Sequence, residues 1–313
     1  LKAALSLGRE KGYAHFLWWQ PTIMAELCVR ALAEGIETEY ARSLIRKRGL
    51  VPEESPLSIQ GWPWAFRIYT IGQFNLVKND VPHAAASKSQ SRPLELLQAL
   101  VAFGGHDVAI DRLTDALWPR IDSDYAHRSF NTALHRLRKT LGNDSALVLK
   151  DGRLSLEARL VWLDTWAFEQ LVEEIERLSR GDDGGLNEPI AKDLCDRLFE
   201  FYQGPFLGEG DEKSWSIGAK EKAQVRFHRA VLALGRYYES QGQHDHAVDV
   251  YERALDVDVV AEGLYRQLML CHESQGHTAE AMEIFSRCKR ALKAGLEAEP
   301  SKETCQLYDR LAG

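Results

Sequence analysis

The segment from Tyr125 to Gly142 has the residue types that bind a polyanion. It contains no Asp or Glu, whereas the whole chain of 313 residues has a formal net charge of −7. Its cations are Arg128, Arg136, Arg138 and Lys139. A purely cationic segment in an acidic protein favours an anionic partner such as a nucleic-acid backbone. An ordinary solvated helix face is the other interpretation, and the neighbouring elements must decide between the two.

The apolar residues of this segment predict an α-helix, because they recur at steps of four, three and four residues along one helical face. They are Phe130, Leu134, Leu137 and Leu141. The other side presents polar residues, with Asn131 on its flank: Arg128, Asn131, Thr132, His135, Arg136 and Lys139. Cations suit phosphates, while Arg, Asn and Thr side chains can read guanine, adenine and the thymine methyl group. Arg138 lies nearer the apolar side, so we expect it to bond within the protein.

The residues before this helix predict the elements that support it. Residues 67–77 are rich in aromatic and branched side chains and predict a strand, and a second strand is expected over residues 81–86. A helix is then predicted from four apolar residues on one face, Leu94, Leu97, Leu100 and Val101. Another helix is expected to begin near Asp111. Ser123 or Asp124 is expected to cap the cationic helix.

A hairpin is predicted after the cationic helix, with its turn at Asp151-Gly152. Lys150 and Arg153 flank that turn, so the tip of the hairpin is basic. The order of these elements, strands followed by three helices and a hairpin, is that of a winged helix-turn-helix. In such a domain the third helix enters the major groove, and the wing touches an adjacent groove or the backbone. Because the helix and the hairpin carry cations independently, the sequence favours DNA as the partner.

The last part of the chain contains an internal repeat. Residues 238–242 recur as residues 272–276, an offset of 34 residues, and Ala247 and Tyr251 then match Ala281 and Phe285. This period, with glycine at the turn followed by a small and an aromatic residue, is typical of tetratricopeptide repeats. Two further helices are expected within residues 165–178 and 190–202.

The first part of the chain predicts two helices, over residues 25–36 and 39–50, with Thr38 as the second N-cap. Phe16, Trp18 and Trp19 are expected to pack between helices, with a docking face as the alternative. Residues 51–64 predict a linker. The expected domains are therefore residues 1–62, 63–165 and 166–313. The expected fold class is mainly α with a small β component, a winged helix-turn-helix followed by a tetratricopeptide-like helical repeat domain.

Composition and motifs argue against a membrane protein, an enzyme and a metal site. Residues 63–164 contain 13 Lys and Arg against 11 Asp and Glu, so the remaining chain is the acidic part. No apolar run approaches the ~18 residues of a membrane span, and the five scattered cysteines favour reduced thiols in the cytoplasm. No set of residues has the order of a catalytic triad, and the sequence motif of residues 244–246, His-Asp-His, lacks a third metal ligand. We therefore predict neither an enzyme nor a metal site.

These segments resemble the SARP-type bacterial transcriptional activators, in which an OmpR-like winged helix precedes a bacterial transcriptional activator domain. The similar blocks of the winged helix are residues 68–77, 112–119, 133–142 and 161–171. The similar blocks of the activator domain are residues 202–207, the region of Trp215, and residues 265–292 and 296–304. Residues 1–61 resemble the end of the helical-repeat region of larger MalT-like regulators, which carry a STAND-type ATPase further upstream.

The resemblance implies binding to double-stranded promoter DNA and recruitment of RNA polymerase. It places the base-reading face on the cationic helix and leads us to expect a homo-oligomer on DNA. We expect the polymerase to contact the loop at residues 119–124, with Arg120, Asp122 and Asp124 as the contacting residues. No G-x-x-x-x-G-K-[ST] motif occurs, so no cofactor is expected in this chain, and ATP would bind in a preceding domain. The chain begins at Leu1, and we expect it to be the C-terminal part of a longer regulator.

Two other functions stay open from the residues alone. The winged helix could dock a protein and make the chain an interaction scaffold, or this part could be only the sensor of a signalling ATPase. The salt dependence of DNA binding separates the first of these from the DNA interpretation, because phosphate contacts weaken steeply as salt increases.

Overall fold

The computed structural model describes residues 1–15, 19–59, 61–82, 91–181, 185–208, 210 and 213–313. Two compact units divide the chain. The first comprises residues 1–167 with 210–219, and the second comprises residues 168–209 with 220–313. The predicted domain boundaries at residues 62 and 165 stay predictions, since the first unit contains the whole of residues 1–62 together with the whole of the predicted winged helix.

The first unit begins with three helices, α1 (Lys2–Glu10), α2 (Pro21–Ala33) and α3 (Thr38–Arg48). Their small and branched apolar side chains form one buried cluster, in which Ala25, Cys28 and Ala41 are fully buried. The predicted N-cap Thr38 is wrong, because Glu37 is the N-cap residue and makes no side-chain cap bond. Trp19 packs against this cluster. Phe16 and Trp18 lie outside the described residues.

The last residues of the predicted linker, residues 51–64, pack into the core. Trp62 and Trp64 are only 3% and 4% exposed and belong to the same cluster as α2 and α3. Composition alone predicted a linker because residues 51–64 contain prolines and a glycine. The burial of the two indole rings instead stabilises one fixed path for the end of this segment. Arg42 strengthens this path, since its Nε donates a hydrogen bond to the Gly61 carbonyl at 2.8 Å.

A four-stranded sheet follows, formed by β1 (Phe66–Tyr69), β2 (Asn75–Lys78), β3 (Val81–Pro82) and β7 (Val161–Leu163). The strand order is β3-β2-β1-β7, with β1 antiparallel to β2 and parallel to β7. The prediction of one strand over residues 67–77 is therefore wrong, because the chain turns back between β1 and β2. The predicted second strand is β3 as far as Pro82, and its remaining residues lie outside the described ones.

The buried carboxylate of Asp164 explains where β1 ends. Its oxygens accept hydrogen bonds from the backbone N–H and the hydroxyl of Thr70, the latter at 2.8 Å, and from the Ile71 N–H at 2.7 Å. These donors would otherwise be available to a continuing strand. Burial raises the pKa of Asp164 while the hydrogen bonds lower it, and the net shift is upward. The Asp164 carboxylate thus terminates β1, which lies more than 90 residues earlier in the sequence.

Three helices, a short strand and a hairpin complete the winged helix. They are α4 (Ser91–Ala102), β4 (Val108–Ala109), α5 (Ile110–Leu117), α6 (Ser123–Leu141), β5 (Leu147–Lys150) and β6 (Arg153–Leu156). A short 3₁₀ turn at Asp144–Ala146 leads into β5, and the second sheet has the order β4-β6-β5. The predicted core of α4 is confirmed at Leu97, Leu100 and Val101, whereas Leu94 is half-buried and Leu96 is fully buried.

The second unit consists of helices throughout its longer described segments. They are α7 (Asp164–Ser179), α8 (Glu188–Phe201), α9 (Ile217–Ser240), α10 (His244–Val257), α11 (Glu262–Ser274), α12 (Thr278–Leu296) and α13 (Lys302–Ala312), with α7 and α9 beginning in the first unit. The predicted repeat is confirmed as the pairs α9–α10 and α11–α12. Ala247 and Ala281 are both fully buried, which lets the paired helices approach closely. Tyr251 is fully buried, and Phe285 stacks on Tyr308 at 4.2 Å.

Candidate nucleic-acid interface

Helix α6 is held in place by its apolar side. Phe130 and Leu137 are fully buried, and Leu134 and Leu141 are 3% and 2% exposed. They pack in the core shared with α4 and α5, which both contact α6. The period of the sequence therefore predicted the inward face correctly. This packing leaves the opposite face of α6 to solvent.

The predicted base-reading face is exposed along its whole length. Its residues are Arg128, Asn131, Thr132, His135, Arg136 and Lys139, and each is exposed. In the described part of the winged helix the ion pairs involve other side chains, Arg67–Asp80, Arg92–Glu95, His127–Asp111, Arg153–Asp107 and Arg159–Glu157, and Asp80 also pairs with Arg46. The positive charges of Arg128, Arg136 and Lys139 are thus not neutralised by the described acidic residues, so they remain available to an anion.

Arg138 is the exception among the four cations of α6, as the sequence predicted. It is half-buried, and its Nη2 donates a hydrogen bond to the Leu147 carbonyl at 3.1 Å. This bond ties α6 to the first strand of the hairpin. Arg138 therefore serves the fold rather than the exposed face.

The N-terminus of α6 differs from the prediction. Asp122 is the N-cap residue and its Oδ1 accepts a hydrogen bond from the Asp124 N–H at 3.0 Å, so the prediction of Ser123 or Asp124 as cap is wrong. An N-cap residue needs an extended backbone, which Asp122 has, while Ser123 is already helical. Arg120, Asp122 and Asp124 are all exposed. Their predicted contact with RNA polymerase stays a prediction, and Asp122 has a structural role besides.

The hairpin of β5 and β6 forms a wing beside α6. Asp151 and Gly152 both have positive φ, 49° and 72°, which is the turn that suits the twist of a two-residue hairpin. Lys150 is exposed at its tip. Arg153 is also exposed, but it donates to the Asp107 carbonyl at 2.8 Å and lies 3.4 Å from the Asp107 carboxylate. The two wing cations thus differ, since Arg153 is anchored within the protein and Lys150 extends from the tip.

One exposed aromatic residue was missed by the sequence analysis. Tyr125 lies in the first turn of α6 and is 62% exposed, and the guanidinium carbon of Arg128 lies 5.2 Å from the centre of its ring. An aromatic residue three positions before an arginine on a helix could have indicated this contact, because residues at that spacing are neighbours on the helix surface.

Other chemistry is limited in the described residues. They contain no group of three or more His, Cys, Asp and Glu side chains placed to hold a metal ion. His244 and His246 lie in the first turn of α10. Burial raises the pKa of Cys28 and Cys195 to about 11, and that of Cys288 to about 12. No described helix has the length and apolar character needed to cross a bilayer.

A winged helix followed by tetratricopeptide-like repeats defines a class of regulatory protein, and comparisons with known proteins agree. Residues 163–312 match the bacterial transcriptional activator domain. The regulatory protein AfsR of Streptomyces griseus is 24% identical over 263 residues, covering 83% of this chain and 26% of AfsR. The transcriptional regulatory protein MoaR1 of Mycobacterium bovis (strain BCG / Pasteur 1173P2) is 24% identical over 216 residues, covering 65% of this chain and 66% of MoaR1.

A solved structure has a similar fold. Mycobacterium tuberculosis EmbR in complex with a low-affinity phosphopeptide matches with a TM-score of 0.54 and 18% identity, covering 79% of this chain and 65% of that one. The matched domain and the two relatives make this chain similar to the SARP-type bacterial transcriptional activators. The matches cover about a quarter of AfsR and just under two thirds of MoaR1 and EmbR.

Proposed function

We propose that this chain is a sequence-specific DNA-binding transcription activator that binds double-stranded promoter DNA through α6 and the wing. The observation that carries the proposal is the exposed face of α6, whose Arg128, Arg136 and Lys139 form no ion pair with the described acidic residues. An unneutralised cationic face on an acidic protein favours an anionic partner. The winged-helix arrangement supports the major groove as the place where that face binds.

The exposed face divides by chemistry. Lys139, near the C-terminal end of α6, and Lys150 of the wing are suited to phosphates, because a lysine acts as a point charge. Arg128, Asn131 and Arg136 have the donor geometry that reads guanine or adenine in the major groove. Thr132 and His135 lie between them on the same face. Arg153 supports the wing through Asp107, whose carboxylate offsets the charge of the guanidinium.

Recruitment of RNA polymerase is the second part of the proposal. The predicted contact at residues 119–124 comprises the connection between α5 and α6 and the start of α6, and its Arg120, Asp122 and Asp124 are exposed charges beside the proposed DNA face. The helical repeats of the second unit would serve self-association on DNA or signal input, since stacked helix pairs present extended surfaces for other proteins. A nucleotide such as ATP would act only through a preceding domain.

The test measures binding of the full chain to fluorescent promoter fragments and to a random-sequence duplex between 50 and 200 mM salt. The logarithm of the affinity should fall linearly with the logarithm of the salt concentration, with a slope of roughly −0.9 per phosphate contact. Replacing Arg128, Arg136 and Lys139 together with Gln should abolish the preference for promoter DNA, because two base-reading residues are lost, and should flatten the slope by about one phosphate contact, that of Lys139.

A matched control removes the same charge from the other unit. Lys289, Arg290 and Lys293 are exposed cations of α12, and replacing them with Gln should leave the promoter affinity unchanged. If both triple variants lost affinity equally, binding would depend on overall charge and the proposed face would be wrong. Absence of any salt-dependent binding by the wild-type chain would favour the scaffold alternative.

A further inference from the structure

The first two turns of α6 combine an exposed aromatic ring with an arginine that no described acidic residue neutralises. Tyr125 is 62% exposed, so the core does not use its ring. The guanidinium of Arg128 lies over that ring, with 5.2 Å between the guanidinium carbon and the ring centre. An arginine on a solvated helix face ordinarily samples many rotamers, whereas stacking on an aromatic ring restricts it.

The backbone beside the pair is also fixed. Arg128 lies on the second turn of a helix that is capped by Asp122, and its carbonyl accepts a hydrogen bond from the Thr132 hydroxyl at 2.9 Å. The residues near the N-terminus of a recognition helix are those that reach base edges in helix-turn-helix proteins. Arg128 therefore combines a suitable position with a restricted side chain.

We infer that Tyr125 is a specificity-determining positioning residue, which holds the Arg128 guanidinium in the orientation that donates two hydrogen bonds to a guanine. This inference rests on the proposed function of α6 as a DNA-reading helix. Arginine donates to guanine O6 and N7 as a planar fork. Its contribution to base discrimination therefore depends on the orientation of the guanidinium plane. Stacking before binding lowers the conformational entropy lost on binding, and removal of water strengthens the attraction between cation and ring.

The pair predicts a specific pattern of sequence preference. Only the base pair read by Arg128 should depend on Tyr125, because Arg136 and Lys139 lie further along α6 and have no contact with the ring in the described residues. The Tyr125 hydroxyl is dispensable for stacking, so Phe should replace Tyr. Binding to phosphates should be unchanged, because the charge of Arg128 remains.

The experiment selects bound sequences from a random double-stranded DNA pool with the full chain, and then measures affinities for the selected site and its single-base variants. Tyr125→Ala should lose about three- to thirtyfold in affinity for the selected site. It should also lose the preference for guanine at the one position that Arg128→Ala loses. The double variant should lose no more discrimination than Arg128→Ala alone, and Tyr125→Phe should retain wild-type discrimination.

Ile121→Ala is the matched control, since Ile121 is 48% exposed just before the same helix and has no arginine stacked on it. It should leave discrimination unchanged. If Tyr125→Ala kept the guanine preference, or if it weakened binding to every sequence equally, Tyr125 would not position Arg128, while the wild-type selection would still support DNA reading by α6. If the wild-type chain selected no sequence, both the inference and the proposed function would be wrong.

Discussion

Arg138 of α6 and Leu147 of β5 are joined by a hydrogen bond of 3.1 Å from the guanidinium Nη2 to the backbone carbonyl. This bond connects the proposed recognition helix to the wing, so the two cationic elements are held in one arrangement. A donor bonded to a carbonyl in a half-buried site contributes more than a surface ion pair, because little water competes for it. The orientation of the wing therefore depends on a residue that does not itself face the proposed DNA.

Replacing Arg138 with Met should lower the free energy of unfolding of the first unit by about 1–3 kcal/mol, because the apolar stem is kept and the charged donor is lost. Tryptophan fluorescence during urea denaturation measures this unit selectively, since all eight tryptophans fall within its residue ranges. The adjacent exposed residue provides the control. Lys139→Met should leave stability within about 0.5 kcal/mol and should weaken DNA binding instead. An unchanged denaturation midpoint for Arg138→Met would contradict its bracing role.

Replacing Arg136 with Ala should weaken binding to the selected DNA site by about 1–3 kcal/mol, because a base-reading arginine is lost. The affinity for random DNA should fall much less, by the amount that one phosphate contact contributes. Fluorescence anisotropy on both duplexes at a single salt concentration measures the difference. Arg159→Ala is the control, because Arg159 is exposed but is already paired with Glu157 at 2.8 Å. Equal losses on both duplexes would mean that Arg136 touches only phosphate.

Replacing Asp122 and Asp124 with Asn should reduce transcription from a bound promoter without reducing promoter affinity, because Asn retains the ability to cap a helix and removes the charge. Transcription in vitro with purified RNA polymerase, alongside binding measurements, checks this. Asp122→Ala is a separate variant that loses the cap, and it should destabilise the first unit by about 1 kcal/mol. A parallel loss of promoter binding in the Asn variants would rule out the polymerase contact.

Replacing Gly235 with Ala should destabilise the second unit by about 1–3 kcal/mol through overpacking, because its new Cβ would lie 2.3 Å from the Tyr251 ring. Thermal unfolding followed by far-ultraviolet circular dichroism should show the loss, while tryptophan fluorescence should not change. Gly263→Ala provides the control within the same unit, since the nearest neighbouring atom to its Cβ would be 3.9 Å away. Equal stability of the two variants would mean that α9 and α10 can separate at no cost.

Replacing Glu262 with Gln should destabilise the second unit by about 1 kcal/mol at neutral pH. Partial burial raises the pKa of Glu262, but hydrogen bonds from Ser301 and Thr304 together with the charge of Arg266 outweigh it, so the net shift is downward. A lowered pKa in the folded state means that the carboxylate stabilises fully above the unfolded value of 4.5, and that this stabilisation is lost as pH falls through the folded value.

Circular dichroism during urea denaturation at pH 7 and at about pH 3 tests the sign of this effect. The difference between wild type and Glu262→Gln should be largest at pH 7 and should shrink at the acidic pH. Glu303→Gln is the control, because Glu303 is exposed on α13, and the variant should match the wild type at both values. A difference that grew on acidification would show that the sign is wrong.

The sequence by itself determined the elements that repeat or alternate locally. The steps of four, three and four in α6 predicted both its buried and its exposed face, because a helix fixes which residues share a side. Asp151-Gly152 predicted the wing turn, since these residues tolerate positive φ. The 34-residue offset predicted the paired helices of the second unit, because each repeat carries its own packing pattern.

Only the tertiary structure decided the features that depend on residues far apart in the chain. Asp164 ends β1 by binding Thr70 and Ile71, which local propensity around residues 67–77 could not reveal. Arg153 is anchored by Asp107, 46 residues earlier, so two wing cations that look alike in sequence differ in their freedom to reach DNA. Hydrogen bonds and burial depend on which groups meet in space, and the order of residues along the chain constrains those meetings only weakly.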